Sequence, residues 1–173
     1  RRPGRASRLP DRRGARAACR LAPMKTFDTL AELAACAGQE IVVTDWAPVT
    51  QQQINQFADA TDDHQWIHVD AERAKAGPFG TTIAHGYLTL SLLAGFFDRS
   101  IAVKDVRMGI NYGLNKVRFM APVPAESRLR VRIELLGTEA IEGGVQAAWK
   151  CTIEREGADK PVCVAEPLSR YYI

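Results

Sequence analysis

The sequence predicts an α+β domain in which an antiparallel sheet wraps around one long apolar helix. Two observations carry this. Residues Ile83 to Phe97 are apolar almost all round, with Leu88, Leu90, Leu92, Leu93, Phe96 and Phe97 leaving no wide polar face, so the helix they form belongs inside a domain. Beyond it the pattern changes to strict period two, the mark of strands that bury one face. At about 15 residues, or roughly 22 Å, the helix is too short to span a bilayer.

The 173 residues suit one domain with a core of its own. The formal net charge of +3 is misleading, because residues 1–23 contain eight arginines and one acidic residue. The remainder holds 15 basic and 19 acidic side chains, a mildly acidic body without a basic footprint for nucleic acid. Residues 1–23 have no hydrophobic periodicity and no apolar run of a secretory signal. They are expected to be a disordered leader outside the native domain, which then occupies 24–173. Cys19, Cys36, Cys151 and Cys163 form no CxxC pair and no dense framework, a usage that suits reduced thiols in the cytosol.

In chain order, Thr26 to Ala37 reads as a short helix stopped by Gly38, and Glu40 to Trp46 as a first strand. Thr50 caps a second helix from Gln51 to about Ala60, with Ile54 and Phe57 facing inward. A polar cluster (Asp62, Asp63, His64, His68, Asp70) and a break at Gly77-Pro78 lead into the central helix. Val106, Met108, Ile110 and Tyr112 then alternate with polar or small residues, as do Val117 and Phe119. Leu129, Val131, Ile133 and Leu135 alternate with Arg128, Arg130, Arg132 and Glu134. Val145, Ala147, Trp149, Cys151 and Ile153 repeat the pattern after a turn at Gly143-Gly144. The last strand covers Pro161 to Tyr172, and Pro167 marks a bulge or an edge in it. Five or six antiparallel strands around one apolar helix make a single hot-dog arrangement.

All three histidines precede or open the central helix. Asp63 and His68 stand five residues apart, about 140° around a helix, and so meet only if the chain leaves the helix between them. Once together, a carboxylate and an imidazole can hold one water and do acid–base chemistry near neutrality. The plainer reading makes Asp63 a turn residue and His68 a satisfied, half-buried histidine. His64, His68 and Asp70 have a spacing that suits a metal set if the segment is helical. Gly86, in the first turn of the apolar helix, exposes an N–H at the positive end of the dipole, suited to an oxyanion. It serves equally to let the helix pass close to the sheet. His85 reads as an N-terminal helix residue without a catalytic role.

The segments Asp63-His64-Gln65-Trp66-Ile67-His68-Val69-Asp70 and Ile83-Ala84-His85-Gly86-Tyr87-Leu88 together resemble the MaoC-like dehydratases, the (R)-specific enoyl-CoA hydratases. Ile110 to Pro124 is also similar to the family's return strands. The resemblance implies reversible hydration of trans-2-enoyl-CoA to (3R)-hydroxyacyl-CoA, with no cofactor and no metal. It implies an acyl-CoA or acyl-carrier-protein thioester as substrate and a homodimer, while the acidic body and the short apolar helix argue for no nucleic-acid and no membrane partner. Asp63 and His68 take the positions of the catalytic pair and Gly86 that of the oxyanion-hole amide. Two departures stand out: Gln65-Trp66 replaces a common Asn-Pro, and Ala94 replaces a serine found in some members. The rivals are a hot-dog acyl-CoA thioesterase, against which Tyr87 to Phe97 offers no carboxylate, and a non-catalytic acyl-thioester binding protein.

Overall fold

The computed structural model describes residues 24–173; the expected leader and Cys19 lie outside the described residues. The elements in order are β1 (Lys25–Phe27), α1 (Leu30–Ala34), β2 (Gln39–Val43), β3 (Ala47–Val49), α2 (Gln51–Thr61), α3 (Trp66–Val69), α4 (Ala71–Lys75), α5 (Gly86–Ser100), β4 (Ile101–Val103), β5 (Met108–Phe119), β6 (Ser127–Ile141), β7 (Gly144–Arg155) and β8 (Cys163–Tyr172). The main sheet runs β2-β6-β7-β8-β5, with β3 also paired to β6 and every pairing antiparallel. This is the hot-dog arrangement the period-two segments predict, with α5 as its filling.

Alternation decides the core. Leu129, Val131, Ile133 and Leu135 on β6 are fully buried, as are Trp149, Cys151 and Ile153, which lie across from them on β7. They form one cluster with Leu88, Leu93 and Phe96 of α5, and Phe97 meets the Trp149 ring edge-on at 5.0 Å. Each such side chain contributes about 1.5–3 kcal/mol by leaving water. The opposite face carries cross-strand ion pairs, Arg130 with Glu154 at 2.6 Å and Lys150 with Glu134 at 3.1 Å. These are partly exposed and worth about 0.2–1 kcal/mol each.

Several local expectations are corrected. The first helix is confined to Leu30–Ala34, because residues 25–27 instead pair in parallel with β4, immediately after α5. The first strand ends at Val43; Thr44 then bonds Val131 through both its backbone and its hydroxyl, and β3 starts afresh at Ala47. Ile83 and Ala84 are not helical. The sheet side captures them first, Ile83 in a bridge with Pro124 and Ala84 N–H on the Val123 carbonyl. Pro167 lies in a strand bonded on both sides, at an irregular register opposite Leu114, so it marks a bulge rather than an edge.

Two corrections concern burial. The apolar helix is not enclosed: Tyr87, Ser91, Ala94 and Asp98 form an exposed stripe along α5. On β5, Met108, Ile110, Tyr112 and Leu114 are exposed rather than packed inward, and β5 ends the sheet with a free edge. Among the described residues no helix is long and apolar enough to cross a membrane.

Candidate active site

The site is assembled where α2 stops. Thr50 opens that helix with a reciprocal capping box to Gln53. Asp62 closes it in the left-handed conformation, φ 59°, which asparagine and aspartate tolerate better than most residues. Helical geometry therefore ends before Asp63, and α3 restarts only at Trp66. That break is what the spacing of Asp63 and His68 requires if the two are to meet.

A small hydrogen-bond network fixes α3. The Gln51 amide donates to the His68 carbonyl at 2.8 Å and accepts from the buried Thr82 hydroxyl. Ile83 N–H donates to the Ile67 carbonyl at 3.0 Å. The His68 ring returns the link, its Nδ1 lying 2.7 Å from the Ile83 carbonyl. A carbonyl can only accept, so Nδ1 carries the proton and Nε2 keeps its lone pair. Burial holds the His68 pKa below the ordinary histidine value; the Ile83 bond and Asp63 oppose this and His85 adds to it. His68 is thus a neutral imidazole with one bare nitrogen, suited to taking a proton near neutral pH.

His85, given no role by the sequence, belongs to the same cluster. It is 3% exposed, and its ring stacks on His68 with centroids 3.8 Å apart. Its Nε2 lies 2.9 Å from the Asp63 carbonyl, and Phe57 packs on its flank. Asp63, His68 and His85 each bring a polar atom to within 4.8 Å of the others, with Asp63 at the exposed end. His68 Nδ1 is committed to the Ile83 carbonyl and His85 Nε2 to the Asp63 carbonyl, which leaves one nitrogen of each ring to a water or a cation beside Asp63. The local signal that could have flagged His85 is its cap position, where residues with a short side-chain oxygen are preferred.

The alternative metal set does not assemble. His64 is exposed and bonds Asp59 at 3.0 Å, which raises its pKa, while Asp70 caps α4 through the Arg73 N–H. Neither belongs to the group of side chains that brings polar atoms together at His68.

Gly86 is the first residue of α5 and its N–H, in the first turn, has no acceptor within the helix. A Cβ there would stand 3.3 Å from three carbons of the Phe119 ring, so close packing against the return strand is part of why glycine occupies this position. A cavity of about 440 Å³ brings His68, Gly86, Thr89 and Phe119 onto one surface, with Phe79 and Met120 exposed at its rim. It is large enough for the reactive end of a small acyl group. The Gln65-Trp66 departure has a structural consequence. The Trp66 ring packs so tightly on Gly77 that an added Cβ would lie 3.0 Å away, and Arg73 covers it at 4.5 Å. Ala94 lies on the exposed stripe of α5, away from the His68 pocket, and lines the crevices between α5 and β8.

Comparison with known proteins places these features in a family context. Residues 32–154 match the family model described as MaoC like domain. The chain is 56% identical to 3-hydroxyacyl-thioester dehydratase Z of Mycobacterium tuberculosis over 86% of its length and 99% of that protein's. It is 43% identical to nodulation protein N of Rhizobium leguminosarum bv. viciae, over 79% of this chain and 87% of the relative. Among solved structures, the unliganded R-hydratase PhaJ1 of Pseudomonas aeruginosa superposes with a TM-score of 0.62 at 24% identity, covering 79% of this chain and 81% of that one. At that identity the likeness speaks for the fold alone.

Proposed function

The chain belongs to the MaoC-like dehydratase family, and from that premise we propose that it reversibly hydrates trans-2-enoyl thioesters to (3R)-hydroxyacyl thioesters. The observation that carries the reading is a buried neutral His68 beside the Asp63 carboxylate, with Gly86 lining the same cavity as His68. The thioester carbonyl accepts from Gly86 N–H, so charge developing on that oxygen meets a fixed dipole. Asp63 and His68 hold the water between them. As its oxygen bonds to Cβ, the pair takes up one of its protons and passes that proton on to Cα, so carboxylate and imidazole both end as they began. His68 works through Nε2, since Nδ1 is committed to Ile83. The addition changes no oxidation state overall and draws on no cofactor.

The substrate class is an acyl group on CoA or a carrier protein, in keeping with a relative named for acting on 3-hydroxyacyl thioesters. The assembly is a homodimer. Its support is the exposed apolar face of β5 and the open stripe of α5, surfaces that a second copy would cover. Cys151 and Cys163, buried with thiols pushed up to about 12 and about 11, suit a reducing cytosol.

The test is an assay on crotonyl-CoA that follows the enoyl absorbance and free thiol together. Loss of absorbance without thiol supports hydration. Thiol release moves the chain to the thioesterases, and no turnover moves it to the binding proteins.

A further inference from the structure

We propose that His85 is a positioning residue for the reacting pair, holding Asp63 through its Nε2–H and supporting the His68 ring from below. The inference rests on the reading of Asp63 and His68 as the groups that handle water. Three observations converge on it. His85 is the N-cap residue of α5, yet its side chain makes no capping bond; it reaches back to the Asp63 carbonyl at 2.9 Å. A side chain that caps would stabilise the helix start, so local stability does not explain the choice of residue. The ring is 3% exposed and its Nδ1 has no hydrogen-bond partner. A residue there only to fill space would be apolar, because a buried unpaired nitrogen is costly. The ring also lies flat on His68, 3.8 Å between centroids and 26° between planes.

Hydrogen-bond chemistry dictates the tautomers. A carbonyl accepts only, so His85 must be protonated on Nε2 and His68 on Nδ1. The stacked rings are therefore opposite tautomers. One hydrogen bond ties the backbone of Asp63 to the residue preceding Gly86, so a single side chain sets the spacing of carboxylate, imidazole and helix N-terminus. Misplacing a reacting group by about 1 Å costs on the order of 10²-fold in rate.

Two variants of the full chain separate the parts. His85→Phe keeps the ring and loses the donor; His85→Gln places an amide donor near the Nε2 position and loses the ring. His85→Phe is expected to lower kcat on crotonyl-CoA by about tenfold or more while KM stays within about threefold, and His85→Gln to recover part of that loss. A folded His85→Phe within twofold of wild type in kcat, a His85→Gln no better than His85→Phe, or a loss confined to KM overturns the proposal. Long-range ¹H–¹⁵N correlation of the histidine rings in the wild-type protein tests it independently of activity and of whether the variants fold. The expected patterns are Nε2–H for His85 and Nδ1–H for His68. Nδ1–H on His85 overturns the positioning role even in an active enzyme. A wild-type protein inactive on crotonyl-CoA that still shows the opposite tautomers overturns the hydratase reading and leaves the Asp63–His85 tie standing.

Discussion

His68 and His85 lie ring on ring, their centroids 3.8 Å apart, and each points a ring N–H at a backbone carbonyl. Two cations cannot share that space, and burial already disfavours the charged form of His68. Unfolding releases His68 to an ordinary pKa of about 6.5. The unfolded chain therefore binds the extra proton first as pH falls. The stability linked to His68 is full above about pH 6.5 and is lost as pH falls from there through the lower folded pKa. His64 has the opposite sign, its raised pKa favouring the fold below about 6.5, but it is exposed and screened. Melting curves between about pH 7 and pH 5 should show a steeper fall in Tm for wild type than for His68→Gln. Parallel curves would mean that His68 is not held neutral by the fold.

Gly86 offers a cleaner separation of packing from chemistry. Gly86→Ala keeps the N–H but puts a methyl 3.3 Å from the Phe119 ring, so it should narrow the cavity and act mainly on KM. Gly86→Pro removes the N–H at the first helical position, where proline is well tolerated. His85 before it is already extended at φ −58°, ψ 142°, as a residue preceding proline prefers. The proline variant should fold and lose about 10²–10³ in kcat, the usual worth of one oxyanion donor. Equal kcat in the two variants would remove Gly86 N–H from the mechanism.

The Trp66 contact predicts a stability effect on the active-site side of the molecule. Gly77→Ala forces a methyl to within 3.0 Å of the indole. Overpacking of this kind costs about 1–3 kcal/mol, a fall of several degrees in Tm for a chain of this size. Trp66→Leu makes room for the methyl, so the double variant should be more stable than the two single losses predict. Additive losses would show that ring and glycine are not in tight contact.

These contacts mark where sequence reasoning stopped. The paired strands β6 and β7 were legible because every second residue has a helix to pack on, and the cap at Thr50 because its chemistry is local. The break that lets Asp63 and His68 meet was legible only as a condition, with the family resemblance tipping it. Alternation along β5 identified residues on one face without saying whether the chain itself covers that face, and Met108, Ile110 and Tyr112 remain exposed. The β1–β4 pair is three residues on each side and exists only through a long-range contact. His85 was missed for the same reason. Its cap position was a local hint, but its stacking on His68 joins two separate segments of the chain, a contact that no local pattern announces.

The exposed β5 face sets up a test of assembly. Ile110→Glu puts a charge on a residue that is 42% exposed in the single chain, so the fold itself should tolerate it. Desolvating an unpaired carboxylate at an apolar interface is costly. Light scattering should give twice the 19.1 kDa chain mass for wild type and a shift towards the single chain for Ile110→Glu. A wild-type protein of single-chain mass at micromolar concentration would contradict the dimer.

The central claim is that Asp63 and His68 act as a unit on one water, and the direct measurement is kcat on crotonyl-CoA for Asp63→Asn, His68→Gln and the double variant. Both single changes keep a polar side chain of similar size while removing the proton-transferring group. Each should lower kcat by about 10²–10⁴-fold with a much smaller change in KM. The double variant should be little worse than the worse single one, because groups that act as a unit are not additive. Near-normal hydration by either single variant, or fully additive losses in the double, would contradict the account.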